Sequence, residues 1–242
     1  MKESPDWCAD AGGHWITHEG KHLCVDIKDY QKVPKEIRDE VAQGEKDYRK
    51  VSAKRVKAAE YRKRKKLAHE LTSAWSHRPK DRAHLERHLQ RYKSEHLERV
   101  KLEFDQRLRG SLRPAEYDSD SEKIFVNPEN AYGKFNIDLW LDHEMGHHVA
   151  KVTEGTVHPA WTRKYLTGEN RLKFEGFLGS YAVEGGPAEL YAEAWWKLML
   201  KPNKVKQRMK KDKVIKEFYT TLQERSGYSM SEIGKRRKRG GE

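Results

Sequence analysis

Apolar residues are sparse along this chain, and their phase changes several times. Two short β-prone runs, His14-Trp15-Ile16-Thr17 and His22-Leu23-Cys24-Val25, flank His18-Glu19-Gly20-Lys21, which has the composition of a hairpin turn. From about Pro34 to Leu108 good helix formers dominate. The break is Ser76-His77-Arg78-Pro79-Lys80-Asp81, where Pro79 lacks a backbone donor and pushes its predecessor out of helical geometry. Two long helices joined there are expected. The second has a narrow apolar stripe of Leu85, Leu89, Tyr92, Leu97, Val100, Leu102, Phe104 and Leu108.

Gly110 to Ser121 reads as a connector rich in Asp and Ser, followed by a short strand, Lys123-Ile124-Phe125-Val126, closed by Asn127-Pro128. After a loop from Ala131 to Phe135, Asn136 suits the N-cap of a helix from Ile137 to about Val152, with Ile137, Trp140, Leu141 and Val149 on its buried side. An irregular stretch with Gly155, Pro159, Gly168, Gly176 and Gly179 comes next. Gly185-Gly186-Pro187 suits the first turn of a helix to Leu200, ended by Pro202, and a basic amphipathic helix follows from Lys204 to Arg225. The fold class expected is mainly α (α+β). Its segments are a β-hairpin unit over 1–30, a basic helical region over 31–112, a domain with a short β-sheet over 113–202, and a basic helix with a disordered tail over 203–242.

Charged residues make up 36% of the chain and apolar ones only 36%, which points to a modest core with solvated helices. The net charge of +12 is unevenly spread. Lys46 to Lys66 holds eleven Lys/Arg against two acids, whereas Ala115 to Leu200 holds eight against fourteen. Basic flanks around an acidic middle suit a polyanion such as nucleic acid, with Lys54, Arg55, Arg62, Lys63, Arg64, Lys65, Arg236 and Arg237 as the contact residues. Solvated helix surface explains the same charges equally well. Two cysteines, Cys8 and Cys24, are too few for a disulfide framework, although a single bridge stays open. Together with His14, His18 and His22 they match no compact zinc spacing, so a surface hairpin is the reading adopted. No apolar run approaches membrane-spanning length and no secretion signal is apparent, so a soluble protein without a membrane partner is expected.

Chemistry concentrates at His143-Glu144-Met145-Gly146-His147. Histidines four apart on a helix share one face and can bind one ion. Catalytic zinc takes three protein ligands and keeps a position for water, whose pKa falls toward about 7. Glu144 adjoins the first ligand, where a carboxylate can take the water's proton, and Gly146 lets another backbone approach. The third ligand is expected in the segment Ser180 to Trp196, where Glu189 and Glu193 are again four apart beside Leu190, Ala194 and Trp195. Carboxylates so placed need partners if buried. The alternative is two surface glutamates favouring a helix N-terminus.

His-Glu-x-Gly-His, a Ser-Tyr at Ser180-Tyr181, and Glu189-Leu190-Tyr191-Ala192-Glu193-Ala194-Trp195 together resemble the zinc peptidase domain of the anthrax lethal factor type, also found in phage minor head and polyvalent proteins. The match covers roughly Glu122 to Asn203. The resemblance implies a zincin-like domain with Zn2+ on His143, His147 and Glu189, Glu144 as base, and Glu193 orienting a histidine. It also implies that Tyr181 donates to the developing oxyanion. The Tyr-to-Glu spacing is one residue longer here, and Gly185-Gly186 can absorb it; His148 is an unusual neighbour of the second ligand, read as a bystander. Gly12-Gly13-His14-Trp15-Ile16-Thr17 with Gly20-Lys21-His22-Leu23 is similar to a segment of phage head-associated proteins, which suggests a virion or host-cytoplasm setting.

Three functions follow as expectations. The first is a zinc metallopeptidase acting on a protein substrate, tethered to DNA or phage head proteins by its basic helices. The second is a structural, nucleic-acid-associated head component whose zinc site is not catalytic, for which an intact Glu144 is unnecessary. The third is a peptidase that cuts proteins bound to DNA.

Overall fold

The computed structural model describes residues 13–18, 21–26, 35–76, 79–111, 113–127 and 137–233. The chain divides into two compact units, Met1–Glu60 and Tyr61–Glu242, with the boundary inside one helix.

In the first unit, β1 (Gly13–His18) pairs antiparallel with β2 (Lys21–Asp26), from Gly13 opposite Asp26 to His18 opposite Lys21. This is the expected hairpin. Helix α1 (Lys35–Leu71) begins here and continues into the second unit. Cys8 and the Asn136 cap lie outside the described residues.

In the second unit, Pro79 opens α2 (Pro79–Leu89), its missing donor costing nothing at a helix start. The second long helix does not form. Its place is taken by α2, the single turn α3 (Ser94–Leu97) and a strand, β3 (Lys101–Phe104). Lys101-Leu102-Glu103-Phe104 alternates polar and apolar, the two-residue period of a strand, and Leu102 is buried opposite Ile124. The Asp/Ser-rich connector also contains a strand, β4 (Ala115–Asp118), and the expected strand is β5 (Lys123–Val126). The sheet order is β3-β5-β4, with β3 parallel and β4 antiparallel to the central β5.

Helix α4 (Ile137–Glu154) carries the two-histidine motif. The irregular stretch after it is largely helical instead: a 3-10 segment (Ala160–Tyr165), α5 (Gly168–Leu178) and α6 (Ser180–Glu184). Aromatic packing recruits it, with Tyr165, Phe174 and Phe218 ring centroids 4.8–5.4 Å apart. Gly179, at φ +111°, makes the corner between α5 and α6. Helix α7 (Gly186–Leu200) follows, and Pro202 starts a new helix as well as ending that one. The expected last helix is two, α8 (Pro202–Lys211) and α9 (Lys213–Ser226), because Asp212 turns out of the helix and caps α9 through the Val214 and Ile215 N–H groups.

The core sits between α4 and α7. Trp140, Leu141, Met145 and Val149 meet Leu190, Ala194, Trp195 and Leu198. Val205, Ile215, Phe218, Leu222, Tyr228 and Ile233 join the same core. The architecture is mainly helical with one small three-stranded sheet, and no described helix is long and apolar enough to cross a membrane.

Candidate metal centre

Two helices facing each other at close range build the site. Gly146 sets their separation: a Cβ there would stand 2.8 Å from Ala192 Cα and 3.0 Å from Trp195 Cβ. The absence of a side chain lets α4 and α7 approach until His143 and His147 meet Glu189 across the gap.

The His143 and His147 Nε2 atoms are 3.3 Å apart. Glu189 brings Oε2 to 3.1 Å from His143 Nε2 and Oε1 to 3.5 Å from His147 Nε2. One donor atom from each of the three lies within 4.8 Å of the others, so this group could hold a metal ion. The donor set fits such an ion. Glu189 Oε2 is buried and not aligned for a hydrogen bond, and two imidazole nitrogens converge on the same carboxylate.

Glu193, one turn beyond Glu189, accepts from the other side of the same ring, with Oε1 3.1 Å from His143 Nδ1. Its second oxygen accepts from Trp196 Nε1. Glu193 therefore orients the His143 ring and stands outside the three-residue group that could hold a metal ion.

Electrostatics separate the two histidines. Burial disfavours a charge on His143, but Glu189 and Glu193 outweigh it and raise its pKa to about 10. Burial and the neighbouring His143 push His147 down to about 4. Glu144 is 8% exposed, and burial raises its carboxyl to about 7, opposed by His143 and by the Tyr117 backbone N–H that donates to it. Tyr181, on α6, is 59% exposed, and its ring centroid is 6.1 Å from that of His143. Burial, then the nearby Glu189 carboxylate, raises its phenol to about 12. A cleft of about 490 Å³ opens over these groups, walled by Arg113, Glu116, Tyr117, Leu139 and Val157.

Several contributors escape sequence reasoning. Tyr117 on β4 stacks parallel to the His147 ring (6.5 Å, 6°), and its hydroxyl donates to His148 Nδ1 at 3.1 Å. His148, read as a bystander, is fully buried, and its Nε2–H donates to the His96 carbonyl at 2.9 Å. It clamps β4 to α4. The alternation in Ala115-Glu116-Tyr117-Asp118 is the one signal that could have located this wall. Helix α2 braces α4 from another side: His84 Nε2 is 2.6 Å from Asp138, and His88 bridges Asp138 at 3.0 Å and Asp142 at 2.6 Å. Asp142 also accepts from the Tyr92 hydroxyl.

His143, Glu144, His147, Tyr181, Glu189 and Glu193 thus line one cleft. The basic residues are elsewhere. Lys54, Arg55, Arg62 and Lys65 are exposed on α1, whereas Lys63 pairs with Glu98 at 2.6 Å and half-buried Arg64 donates to the Gln90 carbonyl at 2.8 Å. Arg236 and Arg237 lie outside the described residues. Compared with protein-family models, curated proteins and solved structures, the chain matches none.

Proposed function

We propose that this protein is a zinc-dependent metallopeptidase of the lethal factor-like kind, phage-encoded, that hydrolyses peptide bonds in virion or DNA-associated proteins. The observation that carries the reading is the meeting of His143, His147 and Glu189 beside a buried Glu144 at the floor of an open cleft. Two imidazoles and a carboxylate are the ligand set of hydrolytic zinc sites. Zinc held there supplies Lewis acidity and lowers the pKa of a bound water toward about 7. Glu144 takes the proton of the attacking water and passes it to the leaving amine. Burial raises its carboxyl above the ordinary carboxylate range, which favours taking up that proton. Tyr181, on the cleft wall beside His143, would turn its phenol toward the oxygen that gains negative charge. The exposed cations of α1 would hold the enzyme to nucleic acid or phage head proteins, near its substrates.

Metal analysis of the wild type and Glu144→Gln tests the reading, followed by incubation of each with itself and with capsid and DNA-bound proteins. Both proteins should carry one zinc, and only the wild type should cut, with a chelator abolishing cleavage. Zinc in both with no cleavage by either would favour a structural centre in a nucleic-acid-associated component. A wild type that takes up no metal would sink the site assignment.

A further inference from the structure

The segment from Lys201 to Lys216 carries eight cations and a single carboxylate, Asp212. On α8, at 3.6 residues per turn, Lys204, Lys206, Arg208, Lys210 and Lys211 sweep about 200° of the circumference, with Lys201 just before its first turn. The remaining arc holds Pro202, Val205 and Met209, which are buried in the core or packed against it. Asp212 is already engaged, capping α9 through Val214 and Ile215 and standing 3.8 Å from Arg208. Among the described residues no carboxylate lies within ion-pair distance of Lys204, Lys206, Lys210 or Lys211. Helix α1 is mixed: Lys50, Lys63 and Lys66 face Asp47, Glu98 and Glu70, and Lys54, Arg55, Arg62 and Lys65 are its exposed cations beside them. The positive field reaches α7, where burial and then Lys201 and Lys204 lower the pKa of Lys197.

We propose that the outer face of α8 is a docking surface for the phosphate backbone of duplex nucleic acid. The residues outside the buried arc are Lys201, Asn203, Lys204, Lys206, Gln207, Arg208, Lys210 and Lys211, with no apolar or aromatic side chain among them. A protein partner would need an apolar anchor to bury, which this face does not offer. Single strands are held by stacking aromatics, also absent from it. Insertion into a lipid surface needs an exposed apolar stripe, and that of α8 is consumed by the core. Phosphates need only point charges and hydrogen-bond donors, which lysines, Asn203 and Gln207 supply. The surface stands independently of the metal centre.

The test is fluorescence anisotropy with a labelled mixed-sequence duplex between about 50 and 200 mM salt. It compares wild type, Lys204→Gln/Lys206→Gln/Lys210→Gln/Lys211→Gln, and a charge-matched control on α1, Lys54→Gln/Arg55→Gln/Arg62→Gln/Lys65→Gln. The α8 variant should bind at least about tenfold more weakly, with the slope of log K against log salt reduced by about 3 to 4. Its unfolding midpoint should not move, because the replaced side chains are exposed. The control should lose less. Equal or greater loss in the α1 control, or no duplex binding by the wild type, would overturn the proposal. So would displacement of the duplex by poly-glutamate as effective as by unlabelled duplex, or α8-dependent capture of phosphatidylserine vesicles without duplex binding.

Discussion

Glu193 Oε1 lies 3.1 Å from His143 Nδ1, and its second oxygen takes the Trp196 indole proton. This contact turns Nε2 toward Glu189, and it keeps the hydrogen on Nδ1 in the singly protonated ring that metal binding requires. Glu193→Ala should therefore keep the three-ligand set but bind zinc about 10- to 100-fold more weakly. Competition against a chromophoric chelator measures this, and unchanged affinity would remove Glu193 from the assembly.

Metal uptake should also appear as stability. A ligand bound only by the folded state, at a thousandfold excess over Kd, adds about 4 kcal/mol. For a chain of this size each kcal/mol moves Tm by about 2 to 4 °C. Calorimetry should show the rise for wild type, its reversal by chelator, and little rise for His143→Ala or Glu189→Ala.

Gly146→Ala should loosen the packing that brings the ligands together. The added methyl would meet Ala192 backbone at 2.8 Å, which cannot yield as a flexible side chain would. Overpacking costs about 1–3 kcal/mol, against a helix-propensity gain of about 1 kcal/mol. A lower urea midpoint is expected, and Gly146→Val should lower it further.

His148 accepts from Tyr117 and donates to the His96 carbonyl, and burial lowers its pKa so that it serves both bonds neutral. His148→Leu strands a buried acceptor at a cost of about 1–3 kcal/mol. His148→Gln keeps one acceptor and one donor and should recover most of that loss. Chemical denaturation of the two variants decides it, equal losses counting against the clamp.

Alkaline pH should weaken the brace between α2 and α4. Burial disfavours a charged His88, but Asp142 and Asp138 outweigh it and raise its pKa from 6.5 to about 9. A pKa raised on folding contributes stability in full below about pH 6.5, and that contribution is lost as pH climbs through about 9, amounting to about 3 kcal/mol. Burial also opposes ionisation of Asp138, yet His88 and His84 hold it well below the ordinary carboxylate range. Urea unfolding from pH 6 to 10 should show the decline, and His88→Gln should flatten it.

Local periodicity determined much of the site by itself. His143 and His147, like Glu189 and Glu193, are four apart, and in a helix that spacing alone sets a shared face. The hairpin, the strand Lys123–Val126 and the helix opened by Pro187 were legible for the same reason, since turn, alternation and proline signals act within a few residues. Pairing across the chain was not. The apolar residues of Lys101–Phe104 fit a helical stripe as readily as a strand until β5 stands beside them, and β4 exists through its pairing with β5. Helix α5 depends on Phe174 meeting Tyr165 and Phe218, and the break at Asp212 on a cap competing with helix continuation. Tyr117 and His148 acquire their roles from neighbours on other elements, Lys63 is tied to Glu98 at the surface, and Arg64 is drawn inward by the Gln90 carbonyl. The sequence determined which side chains share a helix face. Only tertiary packing, with Gly146 admitting α7, decided that the two faces meet.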